Sequence, residues 1–466
     1  MKREFTTIVA AAILLLASCG GPTQLGGIQG SGSPVVAYGP IAGFGSIFVN
    51  GVEYATSNAQ IRIDDQPGTE SQLLVGQVVT VVGSVNSDGT TGTATQVTSS
   101  GDVAGPITQI DTVGGTFVVL GQTVRVSGST LFDDNIQPAS IAGLQVGNIV
   151  EVSGFPNAAG EVVASRIQRE AAGSALEVKG IVLSLDMTAH TFHVNTLTVD
   201  YSAITPSGSL ANGAIVKVSG TLLNAAGALV ATRVDVLPGF GATANDEGEI
   251  EGLITTFTSN SDFVVNGQRV TTNANTQFIL DGATLAVDVL VEVDGSFDAS
   301  GVLVAKSVQA TPDSASLVRG LVDNVIAASN TLTVLGVTIT TNSNTEFEDK
   351  SSQQMRPFNL SDVHTNDYVE ARGAPAQSGR LNASILVRDR PENHSYLQGT
   401  ASNVASPNLT VLGIVVVTSL ATQFSGPDGG TLSAAAFFSQ APNKIVKVRG
   451  TLFAGVFTAD QAQIQQ

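Results

Sequence analysis

The sequence predicts an all-β chain, a tandem array of six small five-stranded β-barrels. Three observations carry that reading. A Val/Ile-rich segment ending in glycine recurs six times at a mean spacing of about 73 residues. Hairpin signals of the Asn-Gly and Leu-Gly kind recur in phase with it. Apolar residues inside each copy alternate with period two or run continuously, the pattern of strands and not of helices.

Before the array, Met1-Lys2-Arg3 is followed by an apolar run from Ile8 to Ala17 and then by Ser18-Cys19-Gly20-Gly21. A cationic start, a short apolar core and a small-residue zone form a secretory signal, and the run is shorter than the roughly 20 residues a bilayer requires. Leu16-Ala17-Ser18-Cys19 resembles the bacterial lipobox, with the only cysteine of the chain at its lipidated position. That resemblance implies removal of residues 1–18, acylation of Cys19 and a membrane partner through the N-terminal lipid. Gly20 stands where an Asp often retains such proteins at the inner membrane, so the outer membrane is the expected address, with the periplasmic or surface face left open. The alternative is that Cys19 merely lies near an ordinary signal-peptidase site. Residues 19–40 are Gly/Ser-rich and lack a hydrophobic period, at least as far as Pro34, and read as a tether.

The six terminal segments are Val78 to Gly83, Ile149 to Gly154, Ile215 to Gly220, Leu290 to Gly295, Tyr368 to Gly373 and Ile445 to Gly450. Seven residues before each terminal glycine stand Gly76, Gly147, Gly213, Asp288, Asn366 and Asn443. Gly, Asn and Asp are the residues that tolerate positive φ, so the substitution pattern predicts a left-handed turn residue just before the fourth strand.

Upstream in each copy lies a first strand with a glycine (Gly43, Gly105, Gly180, Gly252, Gly320, Gly399), then a hairpin at Asn50-Gly51, Leu120-Gly121, Asn195-Thr196, Asn266-Gly267, Leu335-Gly336 or Leu412-Gly413. A Thr-x-Phe element follows in four copies: Thr130-Leu131-Phe132, Thr276-Gln277-Phe278, Thr345-Glu346-Phe347 and Thr422-Gln423-Phe424. A second hairpin, through Gly89, Gly160, Gly227, Gly301, Gly379 or Gly455, leads to a fifth strand from Ala94, Ala164, Ala231, Ala305, Ala383 or Ala459. Three strands, a link and two strands is the order of an OB-type barrel, and Thr431–Phe438 is a candidate helix within the last link. The repeats fall at 41–100, 101–172, 173–240, 246–312, 313–390 and 394–466. A six-bladed propeller-like ring is the competing architecture. The repeat length and the apparent linkers (Leu237 to Gly248, Arg388 to Asn393) favour separate barrels over blades.

This spacing of glycine and valine resembles a bacterial family of secreted proteins built from tandem copies of a small β-barrel domain of unknown function. The resemblance covers roughly residues 41 to 466 and implies the fold. It brings no catalytic or ligand residues.

Function is constrained mainly by exclusion. Thirty-nine Asp+Glu against 21 Lys+Arg give a net charge of −18, which argues against a phosphate-tracking nucleic-acid binder. A single Cys excludes an internal disulfide framework, and four His supply little for metal or acid–base chemistry. His190 and His193 are three apart on a strand and point to opposite faces; His364 and His394 have no ligand spacing around them. The acidic run Asn245 to Glu251 lacks the regular oxygen spacing of a calcium loop and reads as a solvated charge run at a linker, as do Asp64-Asp65 and Asp133-Asp134 in their links. No nucleophile elbow or phosphate-cradling loop occurs. Phe117, Phe192 and Phe263 fall at inward positions and read as core, so aromatic platforms for sugars are weakly supported. The expectation is therefore a non-catalytic envelope protein acting as scaffold, spacer or binding module, with no cofactor, no metal and an unidentified envelope protein or glycan as partner. Two alternatives stay open: binding of a small ligand or Ca2+ by one divergent repeat, and an envelope hydrolase with unidentified carboxylates.

Overall fold

A computed structural model describes residues 34–465 apart from 45, 238–239, 241, 281–282, 311–315, 377–378 and 427–429. The second repeat shows how one unit closes. Its strands are Val103–Asp111, Thr116–Val119, Gln122–Phe132, Ile149–Pro156 and Val162–Arg169. The first pairs antiparallel with the second and the fourth, the second with the third, and the fourth with the fifth, while the third and fifth run parallel. The order 1-2-3-5-4-1 closes the sheet on itself and leaves only the N-terminal part of the first strand with a free edge. All six repeats follow this scheme; in the sixth, the first strand is broken at Ala401 into Ser395–Thr400 and Ser402–Ala405.

Two backbone features explain the recurring letters. The residues Gly76, Gly147, Gly213, Asp288, Asn366 and Asn443 have φ of 80°, 89°, 87°, 66°, 72° and 60°. Each donates its N–H to a carbonyl at the first strand, or at Ala401 in the sixth repeat, at 2.8–3.1 Å (Gly76 to Ile41, Gly147 to Ile107, Asn443 to Ala401, for example). The left-handed turn thus lets the link cross the first strand and enter the fourth in register. The terminal glycines sit at a register shift in the fourth strand, opposite the alanine of the fifth: Gly154 pairs with Ala164 and Gly295 with Ala305. A Cβ there would stand 1.9–2.5 Å from a carbonyl oxygen of the fifth strand in all six repeats. Only a residue without a side chain permits that approach.

The Thr-x-Phe elements join the fifth strand through the threonine. Thr130, Thr276, Thr345 and Thr422 each donate Oγ1 to the carbonyl of the partner alanine at 2.7 Å. In the last link, Ser433 caps a helix at Ala434–Gln440 by accepting from the Ala436 N–H; three other links make a single 3-10 turn. Phe117, Phe192 and Phe263 lie inside their barrels.

The arrangement of barrels departs from a row of independent units. First strands pair across repeats: the first repeat with the fourth, Val35–Tyr38 parallel to Glu247–Ile250; the second with the third, Ala104 opposite Glu177; the fifth with the sixth, Val318 opposite Leu397. Three extended sheets of 13, 10 and 14 strands result. A ring of propeller blades is not formed either, because each unit closes as a barrel. The first strand begins at Pro34, inside the span read as tether, since the apolar run Pro34 to Tyr38 pairs with both the fourth strand and the fourth repeat. The segment read as a linker before Gly248 likewise ends in strand, with Glu247–Ser259 continuous.

Candidate functional site at the seams between barrels

In a barrel strand, residues facing away from the core normally meet water. Here the outward positions of the first and fourth strands face another barrel, and they carry charge. Their composition differs at each of the three seams.

Between the second and third repeats, the buried Lys217 Nζ lies 2.9 Å from Glu177 Oε2 and 3.5–3.6 Å from Asp65 and Asp64 of the first repeat. Lys179 lies 3.5 Å from Asp102, which also accepts from the Gly154 N–H at 2.9 Å. Burial opposes the charge on both lysines, but the facing groups, led by Glu177 for Lys217 and by Tyr38 and Asp102 for Lys179, raise each above the ordinary lysine range. Glu151, on the same wall, is pushed up to about 8 by burial and then by Asp64, Glu170 and Glu177.

Between the fifth and sixth repeats Arg319, Arg372 and Lys447 balance Glu370, Asp389 and Glu392. Arg319 pairs with Glu370, Asp389 and Glu392 at 3.4, 3.0 and 2.6 Å, and Arg372 pairs with Glu370 at 2.5 Å. Burial works against the Glu370 charge, yet Arg372 and Arg319 hold its carboxyl below the usual range. Arg319 and Lys447 both lie over the Tyr396 ring, at 5.7 and 5.6 Å from its centroid.

The seam between the first and fourth repeats is different. On the fourth barrel, Glu249 stands opposite Asp294 and Glu251 opposite Glu292. Four carboxylates therefore face one another, three of them (Glu251, Glu292 and Asp294) at positions that hold lysine or arginine in one or more of the third, fifth and sixth repeats. Glu249 is 0% exposed and Glu292 2%. Carboxylate oxygens of Glu249, Glu292 and Asp294 lie within 4.8 Å of one another. Among the described residues no lysine or arginine forms an ion pair with these three; the nearby Lys306 pairs with Glu247 at 2.6 Å. Burial, then neighbouring carboxylates, pushes Glu249 and Glu292 well above the usual range, and burial alone takes Glu251 to about 7. The first and fifth repeats close the seam. Asn50 donates Nδ2 to the carbonyls of Tyr38 and Glu249 at 3.1 and 3.4 Å, and Asn344 donates to Glu292 Oε2 at 2.7 Å. The Tyr54 hydroxyl, fully buried beside Glu249 and Asp294, has no hydrogen-bond partner.

Further contacts tie the first, second and fifth repeats together. The buried Arg166 donates to the Val75 carbonyl and to Glu348 at 2.9 and 3.1 Å. Arg356 lies 3.4 Å over the Phe44 ring and donates to the Leu73 carbonyl. A cavity of about 610 Å³ lies beside it, lined by Thr56, Ile61, Glu70 and Pro357.

Cys19 lies outside the described residues. His193 occupies a half-buried outward position and its ring contacts Thr198 at 3.2 Å; His190 sits in the hairpin turn against Tyr201. His394 lies 3.3 Å from Asp460, and His364 is exposed. No two of the four come together as ligands among the described residues. Of the acids read as solvated, Glu249 is inside a seam, Asp64 and Asp65 meet Lys217, and Asp133 meets Arg166 at 3.6 Å, whereas Asp134 is exposed, with Lys350 at 3.6 Å. Glu292, Asp294 and Tyr54 were not singled out by the sequence. The available signal was the outward letter of the fourth strand, which reads Thr80, Glu151, Lys217, Glu292, Glu370 and Lys447 down the repeats.

A family model described as Domain of unknown function (DUF5666) matches the chain six times, at residues 37–98, 104–168, 172–235, 251–309, 319–384 and 398–462. No curated protein matches the chain at a significant level. A solved structure described as drosophila Unr CSD456 is 13% identical over 45% of this chain and 96% of its own, with a TM-score of 0.12. A likeness at that level carries no argument about fold or function.

Proposed function

The chain belongs to the family described as Domain of unknown function (DUF5666), and on that premise we propose that it is a non-catalytic, lipid-anchored scaffold of the bacterial cell envelope. The observation that supports this most directly is the set of seams. Strand pairing and ion pairs such as Lys179–Asp102, Lys217–Asp65 and Arg166–Glu348 join barrel to barrel, so the repeats hold one another in place. The anchor is supported by the sequence Leu16-Ala17-Ser18-Cys19. Two or more acyl chains on Cys19 would give stable attachment, and the segment from Gly20 to Ser33 would hold the first barrel off the surface. A second reading, binding of a cation by one divergent repeat, is favoured by the carboxylates on the outer face of the fourth barrel.

The anchor is tested by detergent-phase partitioning of the full chain expressed in a bacterial envelope. The parent is expected in the detergent phase and Cys19→Ala in the aqueous phase. Equal partitioning of the two removes the anchoring claim.

A further inference from the structure

We propose that the seam between the first and fourth repeats is a calcium site, with Glu249, Glu292 and Asp294 as carboxylate ligands and the Tyr54 hydroxyl facing them from the first repeat. It is independent of anchoring at Cys19, and either reading can fail without the other.

The geometry suits a hard cation of calcium's size. Calcium takes oxygen ligands at roughly 2.3–2.6 Å, so two oxygens on one ion lie no more than about 5 Å apart. The three carboxylates meet that limit at 4.8 Å. Carboxylate and phenol oxygens are hard donors, and no thiol or imidazole joins the cluster, which disfavours zinc or copper.

A cluster of acids alone would not carry this, but a separate group points at the same place. The Tyr54 hydroxyl belongs to the first repeat, is fully buried and has no hydrogen-bond partner. Both Glu249 oxygens and Asp294 Oδ1 likewise have no amide, hydroxyl or cationic donor, and face only other carboxyl groups. Buried polar atoms are ordinarily satisfied, and polar groups converging on one point without donors suit a bound cation.

The other seams supply the comparison. At the position of Glu292 in the fourth strand, the third repeat has Lys217 and the sixth has Lys447. Lys217 occupies the middle of its seam and pairs with Glu177, Asp64 and Asp65. A protein cation thus fills one seam where the fourth repeat places four carboxylates. An exogenous cation at the first–fourth seam restores the same balance of charge.

The test uses the full mature chain stripped with a chelator, titrated with calcium chloride by calorimetry and followed by thermal unfolding. One calcium per chain and an upward shift of the melting transition are expected. Glu249→Gln with Glu292→Gln is nearly isosteric; it should weaken binding at least tenfold while melting no lower than the parent in chelator. Glu292→Lys copies the cation of the third and sixth repeats. It is expected to raise the melting temperature of the calcium-free protein and to abolish the calcium response. Tyr54→Phe should weaken binding without altering the fold. Absence of any calcium-dependent shift in the parent, or unchanged binding in the double glutamine variant, overturns the proposal.

Discussion

The carbonyl oxygen of Val163 lies 2.2 Å from the point where a Cβ on Gly154 would stand. The contact is backbone against backbone, at the register shift beside the Gly154–Ala164 pair, so no rotamer change relieves it. Gly154→Ala is expected to force the fourth and fifth strands apart and to cost at least the roughly 1–3 kcal/mol of an overpacked core. Urea unfolding of the full chain reads the loss; an unchanged midpoint would show that the strands can part freely.

Gly147 makes a different demand. Its φ is 89°, and a Cβ there would meet nothing within 4 Å, so the penalty of substitution is conformational and not steric. Gly147→Val is expected to cost on the order of 1–3 kcal/mol. Gly147→Asn should be much milder, because Asn366 and Asn443 hold the same backbone at 72° and 60°. Melting temperatures of the two variants separate these cases, and equal values would refute the shared turn.

Lys217 is buried among Glu177, Asp64 and Asp65. Lys217→Met leaves those carboxylates uncompensated and is expected to cost roughly 3–5 kcal/mol, as removal of one partner of a buried pair does. Adding Glu177→Leu should recover part of that loss. A double-mutant cycle by denaturant unfolding measures the coupling, and additive losses would argue against a buried pair.

Stability in chelator should fall as pH rises from about 5 to 8. Glu251, raised to about 7 by burial, and Glu151, raised to about 8 by burial and by Asp64, Glu170 and Glu177 against Lys217, bind protons more tightly folded than unfolded. Folding is therefore favoured while they are protonated and disfavoured as they ionise. Asp349 has the opposite sign: Arg388, at 2.5 Å, overcomes burial and lowers it to about 2, so its contribution is lost as pH falls toward that value. A melting-temperature profile with its maximum in mild acid is expected, and a flat profile between pH 5 and 8 would refute the burial of these acids.

How much of this the sequence discloses depends on whether the cause is local. Gly154 and Gly147 are legible because each letter reports one backbone constraint, and the Gly-to-Asn exchange even names its sign. The fourth repeat's acids were misread for a complementary reason. Ile250 and Ile254 alternate with Glu249 and Glu251 as a strand demands, but Asn245-Asp246 and the Pro/Gly residues upstream suggested a linker. Outward then meant solvent. What buries Glu249 is Ala37 and its neighbours, and no period within one repeat reports a partner so distant in the chain.

The second and third repeats share one apolar core, in which Val103, Phe117 and Val178 are all buried. A fragment of residues 101–240 is accordingly expected to unfold in one transition at a higher temperature than residues 101–172 alone. Calorimetry of the two decides it, and identical melting would mean that the seam adds nothing.

The register of Val35 with Glu247 has a consequence in time. The partners are separated by about 210 residues, and the interval encloses a complete second pair of barrels, so the pairing is nested like one bracket inside another. A chain emerging from its N-terminus can finish the inner pair before the fourth repeat exists. Until then the first repeat waits with an unpaired strand edge, the kind of surface that recruits the wrong neighbour. Synthesis interrupted after the third repeat would thus leave a soundly folded centre and an adhesive beginning.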